Sequence, residues 1–178
     1  RSSSSGAKPV YTMPLTTPIP SDFTHQLRDL LPREEAEALL TALETEPAVS
    51  VRYSREKAPD LVSSLQHDAL IPWAQPRGYY LKDRPLFAAD PLWHAGAYYV
   101  QEASSMLLSL VAPLLEERPL RALDLCAAPG GKSTLLTDLL PEGSVLVSNE
   151  YVATRAKVLQ ENIQKWGSPH AIVTNTEA

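Results

Sequence analysis

Leu123-Asp-Leu-Cys-Ala-Ala-Pro-Gly-Gly-Lys-Ser133 is the stretch whose reading decides the fold of this chain. An apolar strand is predicted over 121–125, a turn of small residues follows, and a helix is predicted from Gly131. Ala127, Ala128, Gly130 and Gly131 carry almost no side chain, so a ligand can meet bare backbone there. The first N–H groups of the following helix lack intrahelical partners and favour negative charge in front of them. In open α/β sheets, nucleotide-like ligands sit outside the carboxyl ends of the strands, at strand-turn-helix junctions of this kind.

Downstream, the period alternates between strand and helix. Strands are predicted over Ala122–Leu125, Val145–Ser148 and Ala171–Thr174, with helices over Gly131–Leu140 and Tyr151–Trp166. That alternation argues for a parallel sheet. Upstream, Glu102–Glu116 reads as a helix with Met106, Leu107, Leu110, Val111 and Leu114 inward. Val49–Tyr53 alternates like a strand. A helix capped by Ser21 or Asp22 runs to about Leu31, and Pro32 suits the first turn of another, about Arg33–Thr45. In that second helix Ala36, Leu39, Leu40 and Leu43 share a face. Arg1–Thr12, with serines from Ser2 to Ser5, reads as a tag or disordered extension, and Met13 as a natural start.

The chain has 178 residues, of which 44% are hydrophobic, enough to bury a core in one or two domains. A net charge of −5 does not advertise a nucleic-acid binder, but a basic patch can sit within an acidic total. One cysteine, Cys126, excludes an internal disulfide framework and fits a reducing compartment. No apolar run reaches membrane-spanning length and no secretion leader is present, so a cytoplasmic location is expected, and no metal site. Between residues 52 and 84 the charge balance reverses: Arg52, Arg55, Lys57, Arg77, Lys82 and Arg84 are interleaved with Tyr53, Trp73, Tyr79 and Tyr80. Cations neutralise phosphates and aromatic faces stack on unpaired bases, so these six are candidate RNA contacts. The competing reading makes the rings the core of a small α/β domain.

Three ligands compete for the glycine turn. A P-loop ends in Gly-Lys-Ser as here, but Cys126 stands at its first glycine position and Pro129 removes an amide donor. The dinucleotide pattern Gly-x-Gly-x-x-Gly is absent. An S-adenosylmethionine site needs a close backbone turn and a carboxylate for the ribose hydroxyls at the end of the second strand, about 20 residues on. Glu150 ends that strand 19 positions after Gly131, and Glu177, just past the third strand, can reach the adenine side.

The run Asp124-Leu-Cys-Ala-Ala-Pro-Gly-Gly-Lys132 resembles the first motif of the RNA cytosine-5 methyltransferases of the Sun/Fmu type, whose bacterial members modify ribosomal RNA. Asp90-Pro-Leu-Trp-His-Ala-Gly-Ala-Tyr-Tyr-Val-Gln-Glu-Ala-Ser-Ser-Met106 is similar to the stretch leading into that family's catalytic domain. Val49-Ser-Val-Arg-Tyr-Ser-Arg-Glu-Lys57 resembles its N-terminal strand, with Ser54 where Asn is usual. The resemblance implies an α/β protein: a small, RNA-facing α+β domain over 13–95, then the first half of a Rossmann-like methyltransferase sheet over 96–178. It implies that Cys126, Ala127, Ala128, Pro129, Gly130, Gly131 and Lys132 line S-adenosylmethionine and that Glu150 takes its ribose. Glu177 stands where the family more often has Asp.

The family adds a cysteine thiolate to carbon 6 of cytosine, which makes carbon 5 nucleophilic enough to take the methyl group. Its pair of cysteines follows the third strand, so no catalytic residue is expected in this chain. Cys126, inside the turn, takes a packing and backbone role and not a nucleophilic one, and these residues alone are expected to be inactive. In the family's larger sheet the Asp124 strand is interior, so here Ala122–Leu125 is expected to be an open apolar edge awaiting a second segment or chain. Two other functions stay open: a non-catalytic RNA-binding module with the same fold, and a P-loop protein.

Overall fold

The computed structural model of the chain describes residues 18–58 and 65–177. The Arg1–Thr12 extension and the Met13 start lie outside them. The chain divides after Pro47 into two units.

Among the described residues the first unit holds a pair of helices, α1 (Ser21–Leu30) and α2 (Arg33–Leu43). Each follows a proline in extended conformation, Pro20 and Pro32. Neither Ser21 nor Asp22 caps α1, because the helix already begins at Ser21. The Pro20 carbonyl instead accepts from the N–H and the hydroxyl of Thr24. Leu27, Ala36 and Leu40 form the core of the pair with Ile19 and Leu31, whereas Leu39 and Leu43 are exposed. The Arg28–Glu37 ion pair, 2.8 Å and exposed on both sides, adds little.

The second unit holds two sheets. Strands β1 (Val49–Tyr53), β2 (His67–Leu70), β3 (Gly78–Leu81) and β4 (Tyr98–Val100), the last preceded by the short helix α3 (Pro91–His94), make an antiparallel sheet of order β2-β3-β1-β4. Val49 pairs with Leu81 and Tyr53 with Tyr98. The division expected between 95 and 96 cuts this sheet, since β4 is its fourth strand. Alternation along β1 sends Val51 and Tyr53 to one face, where Leu81, Ala97 and Tyr98 join them and Phe87 and Trp93 pack on top. Tyr53 and Tyr98 are therefore core rings, in edge contact at 5.9 Å. Ser50 and Arg52 go to the opposite face.

Strands β5 (Arg121–Asp124), β6 (Val145–Asn149) and β7 (Ala171–Thr174) form a parallel sheet in chain order, joined by α4 (Gly131–Leu139) and α5 (Ala153–Trp166). Successive right-handed crossovers in one direction put both helices on one face. Leu159 and Ile163 of α5 cover Ala171 and Val173 there. On the other face Leu123 is 59% exposed and Ile172 53%, with Val145 beside them. Among the described residues β5 pairs only with β6, so the expected open apolar edge is observed, together with an open apolar face.

The expected α-helix over Glu102–Glu116 is instead a 3-10 segment, Ser104–Leu114. Pro113 cannot donate to a preceding turn. With three residues per turn Leu107 and Leu110 stack in one row, and that row faces outward. Of the residues expected inward, only Met106 is fully buried, and Leu107, Leu110 and Leu114 are exposed.

Candidate cofactor site

The turn after β5 is held from several sides. The Ala127 N–H donates to the Asn149 carbonyl (2.9 Å), which ties the turn to the end of β6. Gly130 adopts φ +111°, a left-handed conformation that side chains rarely take. A Cβ there would stand 3.2 Å from Leu159 Cδ1, so the glycine also lets the turn lie against α5. Asn162 of α5 donates to the Pro129 carbonyl (2.8 Å), and Tyr99 of β4 donates to the same oxygen (3.2 Å). The Arg155 guanidinium donates to the Ala128 carbonyl (3.0 Å). Gly131 then opens α4, packed beneath Tyr99 and Gln101.

These constraints leave a hollow of about 190 Å³ at the carboxyl end of β5. Cys126, Ala127, Ala128, Pro129, Gly131 and Lys132 line it, with Tyr99–Glu102 opposite. Six of the seven expected turn residues are thus brought together; Gly130, the seventh, is buried behind them against α5. Ligand sites of this chemistry typically exceed roughly 300 Å³, so the hollow accepts one end of a ligand and leaves the remainder to lie across the strand ends. A larger hollow of about 540 Å³ sits elsewhere, by Leu81, Pro85 and Pro91, with only Gln66, Asp83 and Asp90 as polar lining. It brings no convergent reactive groups, and size alone does not make it a site.

Glu150 follows Asn149 at the end of β6 and is 4% exposed. Its Oε1 accepts the Val152 N–H (3.0 Å) and its Oε2 lies 3.7 Å from Arg155 Nη1. Glu177 is exposed past β7, on the neighbouring strand end. Asn149, which the sequence reading passed over, joins these ends. Its Oδ1 accepts from Thr174 Oγ1 (2.9 Å), the Thr176 N–H (3.1 Å) and Thr176 Oγ1 (3.0 Å), and its Nδ2 donates to the Thr176 carbonyl (3.0 Å). Tyr99, Gln101, Arg155 and Asn162 were missed as well; only their place in the fold brings them to the turn.

Ser133 bears on the P-loop alternative. In a P-loop this hydroxyl faces a nucleotide-bound magnesium. Here it is fully buried and donates to Asp124 Oδ2 (2.7 Å). Cys126 is a free, exposed thiol at the rim, which corrects the packing half of its expected packing and backbone role.

The six basic residues do not converge. Arg52 is 2% exposed and bonded on all three guanidinium nitrogens, which corrects its expected place on an RNA-facing surface. Lys57 Nζ donates to the carbonyls of Ala95 (3.0 Å) and Lys165 (2.7 Å), neutralising the end of α5. Arg77 Nη1 donates to the carbonyls of Ser54 (3.1 Å) and Ala58 (2.8 Å). Arg55, Lys82 and Arg84 are exposed, but the Val49–Leu81 register puts Arg55 and Lys82 at opposite ends of the β1–β3 pair, about 15 Å or more apart at ~3.3 Å per residue. The aromatics are engaged too: Tyr79 stacks on His67 (4.2 Å), and Trp73 Nε1 donates to the Ala103 carbonyl (2.7 Å).

Known proteins agree with this architecture. The family model described as the N-terminal domain of 16S rRNA methyltransferase RsmF matches residues 19–103, and that of 16S rRNA methyltransferase RsmB/F matches residues 109–178. Ribosomal RNA small subunit methyltransferase F of Pectobacterium atrosepticum is 30% identical over 175 residues, covering 88% of this chain and 34% of the relative. Its counterpart in Aeromonas salmonicida is 31% identical over 175 residues, covering 91% and 36%. The chain thus spans about a third of the length of these curated relatives. A methyltransferase homologue from Pyrococcus horikoshii superposes with a TM-score of 0.71 at 25% identity, over 88% of this chain and 53% of its own. NSun6 from Pyrococcus horikoshii, crystallised with SFG, shares the fold with a TM-score of 0.69 at 16% identity, over 89% and 65%. Both parts of the sequence are thus matched in order by models of 16S rRNA methyltransferases RsmF and RsmB/F, and the fold is similar to that of solved methyltransferases.

Proposed function

We propose that the chain is the N-terminal region and cofactor half of an S-adenosylmethionine-dependent methyltransferase acting on cytosine carbon 5 of ribosomal RNA in the cytoplasm. The observation that carries the reading is the hollow of backbone and small side chains at the end of β5, with the buried acid Glu150 at the next strand end. The chain's own residues fit the cofactor. The small residues Ala127, Ala128 and Gly131, with Lys132 at the rim, take its charged amino-acid end. Glu150 accepts from the ribose hydroxyls, and Glu177 stands toward the adenine. When bound, S-adenosylmethionine supplies an electrophilic methyl group. Asn149 holds the strand ends in register so that Glu150 and the turn keep their spacing.

Catalytic cysteines lie outside these residues in this reading, and Cys126 is not the nucleophile. A further segment or chain pairs with β5 and covers the Leu123–Ile172 face, because parallel sheets are stable only with both faces covered. RNA is met by exposed cations, of which Arg55, Lys82 and Arg84 are candidates, rather than by Arg52, Lys57 and Arg77. Among the described residues no helix is long and apolar enough to cross a membrane.

The test is titration calorimetry with S-adenosylmethionine and with ATP. Binding of the first and not the second is expected, weakened about tenfold or more in Glu150→Gln, since a charge-assisted hydrogen bond contributes about 1.5–3 kcal/mol. Binding of ATP alone, or an unchanged affinity in Glu150→Gln, refutes the assignment. Methylated cytosine formed by these 178 residues alone refutes the placement of the cysteines.

A further inference from the structure

The least expected feature of the second unit is a buried guanidinium. Arg52 leaves β1 on the face away from the aromatic core and ends among elements far along the chain. Its Nη2 donates to Thr134 Oγ1 (2.6 Å) and approaches the Gly131 carbonyl (3.4 Å), both in the first turn of α4. Its Nη1 donates to Asp138 Oδ2 (2.7 Å), one turn further. Its Nε donates to Gln101 Oε1 (3.0 Å), just past β4. The guanidinium carbon lies 4.5 Å from the ring centre of Trp166, the last residue of α5, whose Nε1 donates to the other oxygen of Asp138 (3.2 Å).

Packing alone does not call for this arrangement. A charge out of water is costly, and apolar residues of similar volume commonly replace such groups without loss of stability. What an apolar residue cannot do is fix direction. The planar fork meets four acceptors in set orientations, and an ammonium in its place could satisfy only part of them. Every contact made by the Nη2 nitrogen falls on the turn of α4 that begins at Gly131. The Nε contact also orients Gln101, whose Nε2 is buried without a partner and stands 3.5 Å from where a Gly131 Cβ would be.

We propose that Arg52 is a positioning residue for the cofactor turn: the first sheet, through this side chain, holds the opening of α4 so that the Gly131–Lys132 backbone lining the hollow keeps its aim at the ligand. This rests on the cofactor reading above. Arg52 does not touch the ligand; it acts through Gly131, Thr134 and Gln101.

The experiment uses the protein expressed from its complete reading frame. S-adenosylmethionine affinity is measured by calorimetry for the wild type, Arg52→Lys and, as a control of stability, Val51→Ala, which opens a cavity on the far side of the same strand. Backbone hydrogen exchange is followed in parallel. In Arg52→Lys the dissociation constant should rise roughly 10- to 100-fold, the effect of losing one or two aligned hydrogen bonds from the turn to the ligand. Amides 130–134 should exchange faster, and Val51→Ala should bind like the wild type despite an equal or larger loss of melting temperature. Arg52→Lys binding as the wild type does, or weakening only in step with Val51→Ala, overturns the proposal and leaves the cofactor reading standing. Failure of the wild type to bind overturns that reading and the proposal with it. Should Arg52→Lys not fold, Thr134→Val removes the Nη2 acceptor together with that hydroxyl's own bond to the Gly131 carbonyl, and the same comparison with Val51→Ala decides.

Discussion

Truncating Arg52 to methionine tests the energetics of that buried charge directly. Arg52 is 2% exposed and its partner Asp138 is largely buried. Burial pushes the Arg52 guanidinium down to about 10, against the opposing pull of Asp138. Burial likewise raises the Asp138 carboxyl, against the opposing pull of Arg52. Desolvation opposes the attraction at both partners, and a buried pair of this kind commonly contributes no more than a well-packed apolar pair. Removing one partner is different, because Asp138 would remain buried with only the Trp166 N–H. Breaking a buried pair in this way costs about 3–5 kcal/mol, against a total stability on the order of 5–15 kcal/mol. At roughly 2–4 °C per kcal/mol for a chain of this size, the melting temperature of Arg52→Met should fall by about 6–20 °C. The loss carries a pH signature. Without Arg52 the Asp138 carboxyl rises further, the folded state then holds a proton that the unfolded state releases, and stability returns as pH falls through that raised value. The assay is calorimetric melting of wild type, Arg52→Met, Asp138→Asn and the double variant between pH 5 and 8. The double variant should lose less than the two single losses summed, by about 1–3 kcal/mol. A melting temperature for Arg52→Met within about 2 °C of the wild type, or additive losses, would refute the reasoning.

Gly130→Ala should cost about 1–3 kcal/mol, from φ +111° and the 3.2 Å approach to Leu159, seen as a lower denaturant midpoint at unchanged slope. Asn149→Ala leaves the Thr176 N–H and carbonyl without their partner and should cost about 2–3 kcal/mol while weakening S-adenosylmethionine binding; a stability loss with unchanged affinity would remove Asn149 from the site. His67, stacked on Tyr79 with Nε2 2.7 Å from Tyr53 Oη, is held by burial below its ordinary value of 6.5. The unfolded chain therefore takes up the proton first, so this part of the stability is complete above pH 6.5 and is lost as pH falls toward the folded value. A smaller drop in melting temperature between pH 7.5 and 5.5 in His67→Gln than in the wild type is the expected result.

How well the sequence could be read follows from the range of the forces at each position. The three parallel strands and α4 and α5 lie within one or two residues of their expected ends, because each is set by local periodicity and by turn residues that permit few conformations. Gly167, at φ +90°, stops α5 where a residue without a side chain can. The leucines of the 3-10 segment suit either helical period, so the local pattern does not separate the two, and Pro113 supplies no donor to an α-helical turn. A sequence shows charge but not burial, so its pattern places Arg52 among surface cations while the fold buries it.

From the sequence alone come the strand-turn-helix order, the small-residue turn of 126–132 and the spacing of Glu150 behind it, since all are properties of neighbours along the chain. Only the tertiary structure decided that Asn149 would bind the strand ends and that one face of the parallel sheet would stay open. It likewise decided that Arg52 would lie buried against Asp138, 86 residues away. Pairings across such separations depend on how two sheets and two helices pack, and no local pattern encodes that packing.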